Sequence, residues 1–523
     1  MFQTRMIPTL AFCLCATSSI GFAQAQKSPK KLSLQDAIQA ALQNNLSLEM
    51  QRTTWRGSLA AGTKSAEAAF EWTLGASASG GWSRSGSSTY TTLPMGGDEV
   101  ANVLQEVSST SNTRNVNLTL SKPFQWGGTA SFSYSPRYSG SSQETTFTLL
   151  DPPYMVLPGR TSNQLRPYSG SWSFGYSQDL LKNFGRKSAT ADLIIAKRGL
   201  DSADANFRNQ LQAQVADAER VYWALALAQM NLSIAQQSLE LSQRQLRENK
   251  IRMENGVIAP IDVTNSEAEV ARQEVTIINA ETSLKDAKEN FFRAIYATTN
   301  VPDDIELTDT PTVSQLTLDE QTAIETALSN RAEIRTKRIA LEDAKLRAEL
   351  ARANLKPTLR AQVNYNGSAE SAAELSPINS DLWSFRYPGF NASLNFSLPL
   401  FNKAAKAQEI NAMTSRRRAE LDLKDQELAI TLEVRQALRG LQSAEKSIVA
   451  AEKSLIYSQA AFDAAQMRYL EGLGTQLDVL TRQRDLDNAK TQNANAKIQY
   501  ANAQTALRRA MGTLLEYRNI KVK

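Results

Sequence analysis

Met253-Glu254-Asn255-Gly256-Val257-Ile258-Ala259-Pro260-Ile261-Asp262-Val263 and Tyr469-Leu470-Glu471-Gly472-Leu473-Gly474-Thr475-Gln476-Leu477-Asp478-Val479 are two versions of one segment, with Gly, Asp and Val coinciding at one constant spacing. That spacing extends without a gap from 218–295 onto 434–511. Leu225, Leu232, Leu239 and Leu246 fall on Leu441, Ile448, Leu455 and Phe462, and Phe291 to Ile295 fall on Leu507 to Met511. Upstream, at shifted spacings, Ala37-Ile38 echoes Ala323-Ile324, Thr73-Leu74 echoes Thr358-Leu359, and Tyr176-Ser177 echoes Phe396-Ser397. Internal repetition of this length marks a duplicated architecture. The chain divides into a first repeat (26–298), a Pro- and Asp-containing linker without periodicity (299–315) and a second repeat (316–523), each read as helix, strands and long helical hairpin.

The hairpins carry seven-residue apolar seams. Leu211, Ala218, Leu225, Leu232, Leu239 and Leu246 are one heptad apart, and after the Gly256 turn the seam resumes as Val263, Val270, Ile277, Leu284 and Phe291. The second repeat gives Val434, Leu441, Ile448, Leu455 and Phe462, then Val479, Leu486, Asn493, Tyr500 and Leu507. A strict heptad keeps one stripe of a helix facing its neighbour and so specifies coiled-coil packing. The proline-free run from Ser188 to Met253 extends roughly 100 Å at the helical rise. Gln229, Gln236, Gln243, Asn493 and Asn495 flank the seams. They fit either an ordinary antiparallel hairpin or helices with one face on neighbours and another on water.

Segments of period two decide between these. Trp72-Leu74-Ala76-Ala78, Val116-Leu118-Leu120, Phe132-Tyr134, Trp172-Phe174-Tyr176, Leu359-Ala361-Val363-Tyr365 and Leu394-Phe396-Leu398 alternate with Ser, Thr, Asn, Gly and Gln. Apolar residues toward lipid and polar ones toward a lumen are the signature of a transmembrane barrel strand. Trp72, Trp82, Phe124, Trp126, Trp383, Phe385 and Tyr387 cluster at the strand ends, where interfacial aromatics sit. Polar stretches at 84–113, 137–167 and 367–383 read as extracellular loops, and Gln125-Trp126-Gly127-Gly128 as a short periplasmic turn of an extra hairpin. One chain offers four to six strands, too few to close a barrel, so several chains must share one.

Composition narrows the chemistry. There is no histidine, which removes the commonest general base and metal ligand. The only cysteines, Cys13 and Cys15, lie in an apolar stretch that follows Arg5 and precedes Ala23-Gln24-Ala25. This reads as a signal peptide over 1–25, cleaved before Gln26. No catalytic residue, cofactor site or metal site is expected. Lys plus Arg total 58 against 53 Asp plus Glu, intermixed along the chain, so no nucleic-acid surface is expected. Arg416-Arg417-Arg418, followed by Glu420, Asp422 and Asp425, reads as a solvated helix face.

The order and doubling of these features resemble the outer-membrane efflux proteins of the TolC type, from Leu32 to about Leu514. The strand-to-helix junctions Tyr176 to Leu181 and Phe396 to Phe401, together with the two glycine tips, carry the resemblance. It implies an α+β membrane protein: a homotrimer with one shared outer-membrane β-barrel, in contact with lipid, continuous with a periplasmic barrel of long antiparallel helices. It also implies a duct serving efflux or type I secretion, completed by a periplasmic adaptor and an inner-membrane pump. The alternatives are a periplasmic adaptor, which nests one hairpin in β-rich domains, and a structural coiled coil, which needs no alternating strands. Adaptor docking would fall on the tips Gly256, Val257, Ile258, Gly472, Leu473 and Gly474. Asp262 and Asp478 either cap their helices or, under threefold symmetry, form an acidic ring at the periplasmic entrance. The sequence departs from the family at Asp179 (Pro399 in the second repeat), at Trp72 (Pro357) and in the extra strands from Val116 to Tyr134. Four strands per chain and twelve per barrel are therefore in question.

Overall fold

The computed structural model describes residues 30–96, 99–150, 152, 155–163, 167–299, 305–311, 318–371, 376–384 and 386–520. The expected signal peptide and Phe385 lie outside them. The first repeat comprises β1 (Lys30–Leu32), α1 (Leu34–Asn44), α2 (Leu46–Ala61), α3 (Lys64–Ala68), strands β2 (Thr73–Gly96), β3 (Glu99–Pro123), β4 (Gly128–Leu149), β5 (Val156–Asn163) and β6 (Tyr168–Asp179), then α4 (Arg186–Ala189), α5 (Ala191–Glu254) and α6 (Pro260–Tyr296). After β7 (Ile305–Leu307), the second repeat runs α7 (Glu320–Asn330), α8 (Ala332–Ala353), β8 (Thr358–Ser371), α9 (Ser376–Trp383), β9 (Pro388–Ser397), α10 (Lys403–Leu470), α11 (Gln476–Ala510) and α12 (Leu514–Tyr517).

The duplication is preserved in backbone detail. The α1–α2 junction turns at Asn45 (φ −68°, ψ 117°) and the α7–α8 junction at Arg331 (φ −67°, ψ 125°). Ser33 and Asp36 form a reciprocal capping box at α1, and Asp319 caps α7 through the Thr322 amide. Each such cap stabilises a helix by about 1 kcal/mol. The segment 299–315, read as a plain linker, contains β7, which pairs in parallel with β1. Tyr222, fully buried, locks this junction: its hydroxyl donates to the Leu32 carbonyl at 3.2 Å and accepts the Asp309 amide at 3.3 Å. Burial pushes its pKa up to about 12. Deep in the same region the Glu219 carboxylate is held by Arg518 at 2.6 Å and by the Thr505 hydroxyl, tying α5 to α11 and the C-terminal segment.

The sheet order is β2-β3-β4-β6-β8-β9, with β5 added on the outer part of β4. In the part of the sheet next to the helices, register places the apolar positions of all six strands on one face. Leu74, Leu120, Phe132, Phe174, Tyr365 and Phe390 form one cross-strand row. Thr73, Ser121, Ser131, Gly175, Asn364 and Asn391 form the adjacent row on the opposite face. Leu74, Phe174 and Phe390 are all more than half exposed, an apolar face that suits lipid while the Ser/Thr/Asn face suits a lumen.

Two expected loops are strands. Within 84–113 the described residues continue the β2–β3 ladder, and within 137–167 β4 continues to Leu149 and pairs with β5. The many Ser, Thr and Asn residues there give a loop-like sequence, although the backbone remains paired and Ala101, Val103 and Leu149 are buried together. The third stretch contains the end of β8 and α9. Helix α9 lies against the apolar face, where Trp172 donates to the Leu382 carbonyl at 3.0 Å and Trp383 stacks on Tyr134. Strands β6, β8 and β9 have 12, 14 and 10 residues, against 24, 25 and 22 in β2, β3 and β4. A bilayer needs about 9–11, so the long strands run on beyond it, away from the rim that joins the helices. At that helix-side rim the short turn after Pro123 is present, with Phe124 stacked on Trp126 and Gly127 at φ +93°.

Leu118→Arg, midway across the apolar face, is expected to destabilise the bilayer-inserted protein by about 2–4 kcal/mol, and Asn117→Arg on the other face by far less. Equal losses in urea unfolding from vesicles would place both faces in water.

Candidate functional site

The two long hairpins end in the same backbone device. After α5, Gly256 takes φ +71°, its amide donating to the Met253 carbonyl and that of Val257 to the Arg252 carbonyl, both at 2.9 Å. After α10, Gly472 takes φ +76°, its amide donating to Tyr469 at 3.1 Å and that of Leu473 to Arg468 at 2.8 Å. This is the Schellman pattern, which satisfies the last carbonyls of a helix and needs a left-handed residue. Gly474 serves differently. A Cβ there would sit 3.3 Å from the Arg468 Cβ, so the turn closes tightly against the end of α10.

The turns push apolar side chains outward. Val257 is 63% and Leu473 76% exposed, while Ile258 is half-buried. Asp478 is exposed and takes part in the cap of α11: its amide donates to the Thr475 hydroxyl at 3.2 Å, and that hydroxyl donates to its carboxylate at 2.8 Å. Asp262 stands in the first turn of α6 after Pro260, half-buried. A carboxylate in either place favours the positive end of its helix.

A polar seam holds the two tips side by side. Tyr469 donates to Asn249 at 2.8 Å, Asn249 and Gln476 donate to Ser266 at 2.8 and 3.2 Å, and Arg252 donates to the Leu470 carbonyl at 3.0 Å. The Arg252 guanidinium lies 4.9 Å over the Tyr469 ring. Burial raises the pKa of that tyrosine, an effect opposed by the nearby Arg252 charge. Higher up, Gln483 donates to Ser242 at 2.8 Å, Ser238 to Asp487 at 2.5 Å, and Arg484 to Glu269 at 2.9 Å. On α5 the expected leucine seam fades here, while Phe462, Val479 and Leu486 of the second repeat's seam are buried together. Leu232, Leu239 and Leu246 are half-buried, whereas Ala235, Ser238, Ser242, Gln245 and Asn249 are buried. Those small and polar residues recur at three- and four-residue spacing, beside the flanking Gln236 and Gln243. Arg416 and Arg417 both pair with Glu420 on an exposed helix face. Among the described residues no cluster of His, Cys, Asp or Glu could hold a metal, and no helix is long and apolar enough to cross a membrane.

The sequence profile of the outer membrane efflux proteins matches residues 132–295 and 323–513, more than half of the chain. The chain belongs to that family. It is an outer-membrane efflux channel protein, with its strands in the outer membrane and its helical part in the periplasm. No curated protein matches it. Among solved structures it is similar to the open state of the Neisseria gonorrhoeae MtrE outer membrane channel, at 20% identity and a TM-score of 0.62, over 94% of this chain and 91% of that one. It is also similar to CusC, at 16% identity and a TM-score of 0.64, over 92% of each chain. The Vibrio cholerae outer membrane protein VceC follows, at 17% identity and a TM-score of 0.60, over 92% of this chain and 96% of that one. The family match begins inside β4, leaving β2 and β3 outside it.

Asp487 supplies a pH test of the seam. Burial raises its pKa above the ordinary 3.8, its second carboxylate oxygen is buried without a hydrogen-bond partner, and Ser238, Arg272 and Lys490 face it. With the pKa raised on folding, the folded chain binds the proton more tightly than the unfolded one. The ionised group therefore destabilises the fold at neutral pH, and this penalty vanishes below the unfolded value. Asp487→Asn should raise the thermal transition, read by helical circular dichroism, at pH 7 and leave it unchanged near pH 3. A gain of equal size at both pH values would contradict the assignment.

Proposed function

We propose that the protein is the passive exit duct of a tripartite efflux or type I secretion machine. It acts as a homotrimer and receives substrates from an inner-membrane pump through a periplasmic adaptor. The observation that carries this reading is the one-sided apolar sheet whose helix-side rim runs directly into α5 and α10, each more than sixty residues long. Such a fold sets a lipid-facing wall at one end and paired helical tips far away at the other. Transport through it needs no bond made or broken in the substrate, which accords with the absence of histidine from the sequence.

The tips are the adaptor-docking surface in this reading. Gly256, Gly472 and Gly474 close the turns, while Val257, Ile258 and Leu473 offer apolar handles to a partner helix pair. Asp262 and Asp478, repeated by threefold symmetry, place an acidic ring at the entrance, and such rings favour cations. Val257→Asp with Leu473→Asp should abolish adaptor-dependent export while the assembled protein remains in the outer membrane; undiminished export would refute docking there. Asp262→Asn with Asp478→Asn should lower cation selectivity in planar bilayers, and an unmoved reversal potential would leave the carboxylates with their capping role alone.

A further inference from the structure

Strands β2 and β9 are the two ends of the six-strand path through the seven-stranded sheet, β5 pairing only with the outer part of β4. Both lie level with the apolar rows, so in a bilayer their free N–H and C=O groups must be paired, since hydrocarbon offers no substitute. Their partner can be read from the duplication. Within the chain, the last strand of the first repeat joins the first strand of the second repeat, with Ser177 opposite Gln362, Tyr176 opposite Val363 and Gly175 opposite Asn364. The repeat matches Ser177 with Ser397 and Leu359 with Leu74, which carries Gln362 onto Ser77.

We propose that β9 of one copy pairs with β2 of the next in this same register, Ser397 opposite Ser77, Phe396 opposite Ala78 and Asn395 opposite Ser79, so that three copies of six strands close an eighteen-stranded barrel. The inference rests on the channel reading and fixes the composition of its wall. Parity supports the register: Phe396 and Ala78 both fall on the apolar face, and Ser397 and Ser77 both fall on the polar one. The first repeat contributes β2, β3, β4 and β6 to this wall, the second only β8 and β9. The extra β3–β4 hairpin is an integral part of it, because Leu118, Leu120, Phe132 and Tyr134 continue the apolar rows without a break. Barrel diameter grows roughly linearly with strand number, so the wall is about half again as wide as four strands per chain would close, and a barrel of this size leaves an aqueous lumen.

Disulfide trapping in native outer membranes tests this, since the chain has no cysteine beyond Cys13 and Cys15. Ser77→Cys combined with Ser397→Cys should give oxidant-dependent covalent dimers and trimers on denaturing gels. Ser77→Cys with Asn391→Cys, displaced by about 20 Å along the strand, should give none. Efficient trapping of Ser397→Cys with Ser133→Cys on β4, in place of Ser77, would put the β2–β3 hairpin outside the wall and overturn the eighteen strands while leaving the channel standing. Absence of any multimer, even with a lysine-reactive cross-linker on the unsubstituted protein, would overturn the channel reading itself.

Discussion

Everything in this molecule depends on the rule that a backbone polar group in hydrocarbon must be hydrogen-bonded within protein. Six strands bearing one apolar face can obey it only by meeting other chains at β2 and β9. The apolar rows from Leu74 to Phe390 favour the bilayer, and the polar rows behind them favour water. Neither face could be exchanged for the other without shifting a whole strand by one residue. Oligomerisation is thus a condition for the fold to enter a membrane at all.

The helical part obeys a different balance. Midway along the long helices, packing is apolar and aromatic, centred on Tyr222, Phe291 and Leu225 in the first repeat and on Val434, Tyr500 and Leu507 in the second. Toward the tips it becomes a seam of Ser, Asn, Gln, Arg and Glu. Hydrogen bonds of this kind contribute about 1 kcal/mol each, less than the burial of large apolar side chains, but they demand specific geometry. The tips combine this hydrogen-bond register with a small apolar cluster of Phe462, Val479 and Leu486. Asp487, with one unpaired carboxylate oxygen, is a place where that specification costs stability.

Much of this was legible in the sequence because its signals are periodic and doubled. The heptads of Leu211 to Leu246 and Val434 to Phe462, the period-two runs and the glycine tips each appear twice, so each repeat corroborates the other. The extra hairpin was visible in Gln125-Trp126-Gly127-Gly128. Three things were hidden. The upper halves of β2, β3 and β4 read as loops because Ser, Thr and Asn dominate them and their few apolar residues, Ala101, Val103 and Leu149, come together only across strands. The strand β7 was missed because three residues carry no periodicity, and its pairing with β1 joins positions far apart in sequence. The polar seam stayed hidden because the residue types in Ser238, Ser242, Gln245 and Asn249 do not reveal whether water or Gln476 and Gln483 lies opposite. Which partner a polar stripe meets is a tertiary fact.

The most direct measurement is the size of the protein extracted from outer membranes in mild detergent, run on gels with and without boiling. The account predicts a detergent-resistant trimer that falls to monomer only on boiling. A soluble monomer or dimer recovered in the periplasmic fraction would contradict the shared barrel and return the chain to the adaptor or coiled-coil alternatives.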